Sequence, residues 1–123
     1  MENLTTKHCI PCEGGVAALT REEIKPLLSQ ISDWEVNDNF TAIHRNFQFK
    51  NFYHTMAFVN AIAWIANQEN HHPDLHLENY RNVWIELWTH AIGGLSENDF
   101  ICAAKVNELV TSKSEKICKI PSK

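Results

Sequence analysis

The chain has 123 residues, 44% hydrophobic and 21% charged, with 11 Lys+Arg against 15 Asp+Glu for a net charge of −4. That is the size and balance of one soluble globular domain, and the acidic excess argues against a protein that grips a phosphate backbone, which needs a basic face. No apolar run approaches the ~20 residues of a membrane span. The N-terminus shows no basic segment followed by an apolar stretch, so a cytoplasmic protein is expected.

Residues 1–18 read as an irregular lead-in. It holds Cys9-Ile10-Pro11-Cys12 beside His8. A structural zinc site would need a second cysteine pair, and a thioredoxin-like pair would need a strand before it. Neither is present, so an inert, loosely ordered segment is expected, with a metal or redox role as the alternative.

Thr20-Arg21-Glu22-Glu23 has the capping-box pattern, in which each end caps the other's backbone N–H. Ile24, Leu27, Leu28 and Ile31 follow at helical spacing, predicting a short helix over 21–31. Pro26 sits awkwardly inside it, because past the first turn proline removes a hydrogen bond. Trp34-Glu35-Val36 is a short strand. After the turn cluster Asn37-Asp38-Asn39, the run 40–49 alternates: Ile43, Arg45, Phe47 and Phe49 against His44, Asn46 and Gln48. A hairpin follows from that pattern.

Asn51 is a good N-cap. Phe52, Met56, Val59, Ala63 and Ala66 recur at helical spacing, predicting an amphipathic helix over 51–69 that Pro73 stops. Leu75 and Leu77 alternate with His76 and Glu78. From Tyr80 to Thr89, Val83, Ile85 and Leu87 oppose Trp84, Glu86 and Trp88. Gly93-Gly94 breaks the chain, Ser96 to Asp99 resembles another cap, and Phe100 to Val110 continues at helical spacing. The order α-β-β-α-β-β-α predicts an α+β fold: a four-stranded antiparallel sheet with three helices packed on one face. The domain is expected over 19–112, with a frayed tail at 113–123.

Seven histidines stand out. His71-His72-Pro73 lies where the long helix gives way to a strand. His90 ends the strongest strand, and Asp99 lies just past the Gly-Gly turn. Histidine exchanges protons near neutral pH, and a carboxylate beside an imidazole sets its tautomer and raises its pKa. Each feature alone also has a plain reading: a solvated helix end, a surface strand residue, an N3 capping carboxylate. His8, His44, His54 and His76 show no partnered pattern and read as surface or satisfied residues.

Taken together, His71-His72-Pro73, Tyr80, His90, Gly93-Gly94-Leu95-Ser96 and Asp99 resemble the pterin-4a-carbinolamine dehydratase family. Trp34, the Phe47-x-Phe49-x-x-Phe52 run and Val83-x-Ile85-x-Leu87-x-Thr89-His90 agree, and the likeness covers roughly 19–110. The lead-in is similar to that of bacterial members. The resemblance implies removal of water from 4a-hydroxytetrahydropterin to give quinonoid dihydropterin, with no metal and no organic cofactor. It implies His71, His72 and His90 as catalytic residues, and Asp99, His72, Trp34 and Trp88 as substrate-binding ones. It also implies a homodimer or homotetramer, a functional link to an aromatic amino acid hydroxylase, and no nucleic-acid or membrane partner. The family's other known role, as a protein-binding dimerisation cofactor or regulator, is the alternative. A mononuclear metal site is a third reading, since two His and a carboxylate can ligate a metal, but adjacent His71 and His72 suit shared ligation poorly. One position departs from the family: Asn67 stands where an acidic residue is usual. Glu69 is nearby, but two residues along a helix turn it by ~200°, to the far face.

Overall fold

The computed structural model describes residues 3–10 and 17–110. Cys12 and the expected tail at 113–123 lie outside the described residues. Three helices and four strands follow in the expected order: α1 (Arg21–Leu28), β1 (Glu35–Val36), β2 (Ile43–Gln48), α2 (Phe52–Glu69), β3 (Asp74–Glu78), β4 (Asn82–Leu87) and α3 (Glu97–Glu108). A short 3-10 turn at Leu4–Thr6 precedes them. The strands form one antiparallel sheet in the order β1-β2-β4-β3.

Register carries the predicted alternation into two faces. Ile43 pairs with Leu87 and Phe47 with Val83, and all four are buried beneath the helices. His44, Asn46, Trp84 and Glu86 share the open face. There Trp84 lies between His44 and His76, with ring centroids at 5.7 Å and 5.2 Å. Arg45 points inward with the apolar set. It is accommodated because its guanidinium lies 4.3 Å over the Phe47 ring and its Nη1 donates to Asn107 Oδ1 at 2.6 Å.

The capping box of α1 forms as read. Glu23 N donates to Thr20 Oγ1 and Thr20 N donates to Glu23 Oε1. Pro26 sits inside this helix on its exposed side, and the helix ends at Leu28 rather than at 31. The long helix α2 differs more. Its buried side is His54, Thr55, Phe58, Ile62, Ile65, Ala66 and Glu69, not the stripe from Phe52 to Ala63. Phe52, Tyr53 and Trp64 are exposed, Trp64 to 64%. The helix is apolar nearly all round, so periodicity alone does not choose a face.

The lead-in is better anchored than its composition suggests. Leu4 joins the main core, and Lys105 Nζ on α3 donates to the Thr5 carbonyl at 3.2 Å. Among the described residues, no helix is long and apolar enough to cross a membrane.

Candidate active site

The end of α2 delivers the first two histidines. Asn70 closes the helix in the left-handed conformation, with φ of 52°, which asparagine tolerates better than most residues. The amides of Asn70 and His71 both bond back to the Ala66 carbonyl. The helix therefore stops at Asn70, before Pro73 acts.

The third histidine comes from the far end of β4. His90 does not end the strand but opens a 3-10 turn, His90–Ile92, closed by Gly93 with φ of 64°. Thr89 N donates to the Gly94 carbonyl at 2.8 Å, fastening the base of this loop. Gly94 has to be glycine for a different reason from Gly93. A Cβ there would fall 2.8 Å from the Ala18 Cβ, where the chain entering α1 crosses it.

His71, His72, Trp88 and His90 line one open cleft of about 610 Å³, within the usual size of a small-molecule site. The Trp88 and His90 rings stack at 3.8 Å between centroids, 20° from parallel. His72 and His90 are exposed, whereas His71 is half-buried.

Behind His71 stands Asp99, 0% exposed. His71 Nε2 and Asp99 Oδ1 are 2.6 Å apart. An ionised carboxylate only accepts, so Nε2 carries the proton. Asp99 Oδ2 accepts from Thr89 Oγ1 at 2.8 Å and from Ser96 N at 3.0 Å. Thr89 thereby uses its only hydroxyl proton, so the Ser96 hydroxyl, 2.7 Å away, donates to Thr89. Both sequence readings of Asp99 hold at once. One oxygen caps α3 at its third residue, and the other serves an imidazole. Burial pulls the His71 pKa down, but the hydrogen bond and charge of Asp99 outweigh it, and the net direction is up.

Asp99 reaches the cleft only through His71. Trp34 is not brought to it. That side chain is buried in the core, with Nε1 donating to Asn107 Oδ1 at 2.7 Å and its ring edge-on to Phe47. Trp88 is the tryptophan in the cleft wall.

The other wall comes from residues that sequence reasoning did not select: Cys9 and Ile10 from the lead-in, Glu69 and Asn98. Asn67 is exposed and outside the cleft, while Glu69 is 8% exposed and within its wall. The rotation separating them is real. The far face of α2 is covered, however, because the lead-in crosses it. Cys9 N donates to Glu69 Oε1 at 2.8 Å, and His8 Nδ1 and Lys105 Nζ approach Oε2 at 3.1 and 3.4 Å. Burial raises the Glu69 pKa, but these donors more than offset it and the net direction is down. Ile10 is clamped on both sides: its N–H donates to Asn98 Oδ1 at 3.0 Å and its carbonyl accepts from Asn98 Nδ2 at 2.7 Å. No local sequence signal marks these pairings, which join residues remote in the chain. Among the described residues, no group of three or more His, Cys, Asp or Glu side chains is placed to hold a metal ion.

Three imidazoles on one cleft, one of them backed by a buried carboxylate, form a site able to hold, give and accept protons. The class is a small α+β protein with a histidine-lined cleft. The chain belongs to the pterin 4 alpha carbinolamine dehydratase family, whose model matches residues 17–109. A Legionella pneumophila (strain Lens) protein provisionally named pterin-4-alpha-carbinolamine dehydratase is 57% identical over 109 residues, 88% of this chain and 96% of that one. A Brucella melitensis structure, described as a transcriptional coactivator/pterin dehydratase, is 32% identical with a TM-score of 0.72, covering 76% of this chain and 99% of that one. A pterin dehydratase-like protein, described as a RuBisCO assembly factor in the alpha-carboxysome, is 23% identical with a TM-score of 0.54, covering 63% and 88%. At that identity the likeness is one of fold alone.

Proposed function

We propose that this protein removes water from 4a-hydroxytetrahydropterin to give quinonoid dihydropterin, in the recycling of tetrahydrobiopterin, by histidine acid–base catalysis. The observation that carries the reading is the convergence of His71, His72 and His90 on one cleft, with Asp99 bonded to His71.

Hydroxide is a poor leaving group, so the 4a-oxygen must be protonated as its bond to carbon breaks. A ring N–H proton must leave as the new double bond forms. Two imidazoles perform both steps, each worth about 10²–10⁴-fold. His71 is the acid in this scheme. Its Nε2 is held by Asp99, which favours the protonated ring and raises its pKa, and Nδ1 is the atom left to deliver a proton. His90 is the base, and the two exchange roles if the hydroxyl lies on the opposite ring face. His72 positions the pterin. Trp88 offers a flat wall for the ring, and Asp99 orients His71 rather than touching substrate. The reaction as written needs no metal or organic cofactor. The oxidised ring system that it yields is the substrate of a reductase, and an aromatic amino acid hydroxylase supplies the 4a-hydroxypterin. Assembly as a homodimer or homotetramer in the cytoplasm belongs to the same reading.

Stopped-flow dehydration of chemically prepared 4a-hydroxytetrahydropterin tests it. His71→Ala and His90→Ala should each slow the reaction by at least tenfold. If both variants stay within threefold of the parent, the mechanism is wrong. The Brucella relative's description as a coactivator favours a second reading, a protein-binding role. Capture of a transcription factor or hydroxylase, unaffected by a pterin bound in the cleft, would favour that reading.

A further inference from the structure

The cleft wall holds two thiols that acid–base chemistry does not use. Cys9 and Cys102 are both free, and their sulfurs lie 3.7 Å apart. They come from opposite ends of the chain, and their approach is enforced on both sides. Cys9 sits in a stretch of lead-in pinned by Glu69 at its own amide and by Asn98 at the amide and carbonyl of Ile10. Cys102 is buried on α3, within the main core. Cys9 is half-buried and lines the open cleft, where a small solute approaches it, whereas Cys102 does not line that cleft.

We propose that Cys9 and Cys102 are a redox modification site, oxidised by a hydroperoxide to an intramolecular disulfide that fastens the lead-in wall of the cleft to α3. This reading is independent of the proposed dehydration. In the first step the Cys9 sulfur attacks the peroxide while its proton passes to the neighbouring Cys102 thiolate, which hands it on to the departing oxygen. A sulfur–oxygen bond forms, the O–O bond breaks, and Cys9 becomes a sulfenic acid while the alcohol or water departs. In the second step the Cys102 thiolate attacks the Cys9 sulfur and expels hydroxide, which takes a proton to become water. Two thiols lose two hydrogens and two electrons, and the peroxide is reduced to alcohol and water. The sulfurs must close from 3.7 Å to about 2.05 Å, a side-chain movement of under ~2 Å.

The electrostatics make Cys102 the base of the first step and the nucleophile of the second. The hydrogen bond from Cys9 lowers the Cys102 pKa, burial raises it, the charge of His71 lowers it, and the net direction is down. Cys9 moves the opposite way, raised by its hydrogen bond to Cys102, by burial and by the neighbouring charges. Cys102 is the better thiolate but is shielded from solvent. Cys9 is the accessible sulfur, and once oxidised it has a ready nucleophile beside it.

The test uses the full chain, treated with a few equivalents of hydrogen peroxide, digested with trypsin without reduction and mapped by mass spectrometry. Peptide 8–21 should be cross-linked to peptide 82–105, with the loss of two hydrogens and full reversal by dithiothreitol. The same cross-link should form in a Cys12→Ser, Cys118→Ser double variant, where Cys9 and Cys102 are the remaining cysteines. Cys102→Ser should abolish it. Closing so long a loop restrains the unfolded chain, so oxidation of the double variant should raise Tm by at least ~5 °C, reversibly. Pairing of Cys9 with Cys12 alone in the parent chain would overturn the proposal. So would conversion of Cys9 to sulfinic acid in the double variant without a cross-link, or a cross-link that leaves Tm unchanged.

Discussion

His71 and Asp99 are joined at 2.6 Å through Nε2 and Oδ1, and the carboxylate that holds the imidazole is itself held by Thr89 and by the first turn of α3. The loop carrying His90 begins at that same Thr89. One buried group therefore ties together the three pieces of chain that form the histidine-lined side of the cleft. A hydrogen bond to a charged acceptor is short and about twice as strong as a neutral one, which suits a group that must hold a ring in one orientation.

Asp99→Asn removes the charge while keeping the shape. Without the carboxylate, the His71 imidazolium loses the interactions that raise its pKa. If His71 acts as the acid, the alkaline limb of the pH–rate profile should move down by roughly 1 pH unit or more. The rate at neutral pH should fall by about tenfold to a hundredfold. Asp99 is a positioning residue, so the profile is the deciding readout. An unchanged alkaline limb with a lower plateau would mean that Asp99 serves stability alone. The amide nitrogen would also face the donors of Thr89 and Ser96, so the variant should lose about 1–3 kcal/mol.

The same pair makes stability depend on pH. The folded pKa of His71 is above that of the unfolded chain, so its contribution is complete below the ordinary imidazole value near 6.5. It fades as pH rises through the raised folded value. Urea midpoints of the parent and of His71→Gln, compared at pH 6 and pH 9, isolate this effect. The parent's advantage should be larger at pH 6. An advantage that is equal at both pH values or grows toward pH 9 contradicts the assignment.

The sheet and the meeting of the histidines with Asp99 were legible in the sequence for a common reason. β2 and β4 each bury one face, so apolar and polar residues alternate, as Val83, Ile85 and Leu87 against Trp84, Glu86 and Trp88 show. The histidines and Asp99 stand at element ends, beside the cap and turn residues Asn70, Gly93 and Ser96 that shape those ends. The buried face of α2 was not legible, because Phe52, Tyr53 and Trp64 are as apolar as the residues that face the core. The inward side also carries His54, Thr55 and Glu69, each with a polar partner that a pattern cannot foresee. The wall made by Cys9, Ile10 and Asn98 was illegible too. It depends on which helix face the lead-in crosses, a tertiary fact that no local spacing encodes. Trp34 illustrates the converse. A tryptophan in a motif is conspicuous, yet here its indole packs in the core and donates to Asn107.

Glu69 anchors the lead-in, and its substitutions should separate charge from hydrogen bonding. In Glu69→Ala the amide of Cys9 loses its acceptor, and Lys105 loses a carboxylate partner in a half-buried position. The cost should be about 1–3 kcal/mol. Amide hydrogen exchange at Cys9 and Ile10 should accelerate while the amides of β4 keep their protection. Glu69→Gln retains an oxygen for the Cys9 amide and should fall between Ala and the parent. Unchanged exchange in Glu69→Ala would mean that Leu4 and Asn98 hold the lead-in without it.

Trp88 distinguishes a binding wall from a core residue. Its ring is half-buried in the cleft and stacks on His90 at 3.8 Å, so truncation removes a flat surface and a support for that imidazole together. Aromatic pairs contribute about 0.5–1.5 kcal/mol beyond area burial, and 1.4 kcal/mol is a factor of about ten in an equilibrium. If a pterin lies against this wall, Trp88→Ala should raise KM by roughly tenfold. A smaller fall in kcat, about threefold to tenfold, should accompany it as His90 loses its stacking partner. Trp88→Phe keeps a ring and should restore most of the KM. Loss of kcat with KM unchanged in Trp88→Ala would assign Trp88 to the support of His90 alone, because an interaction made equally in the ground and transition states appears in KM.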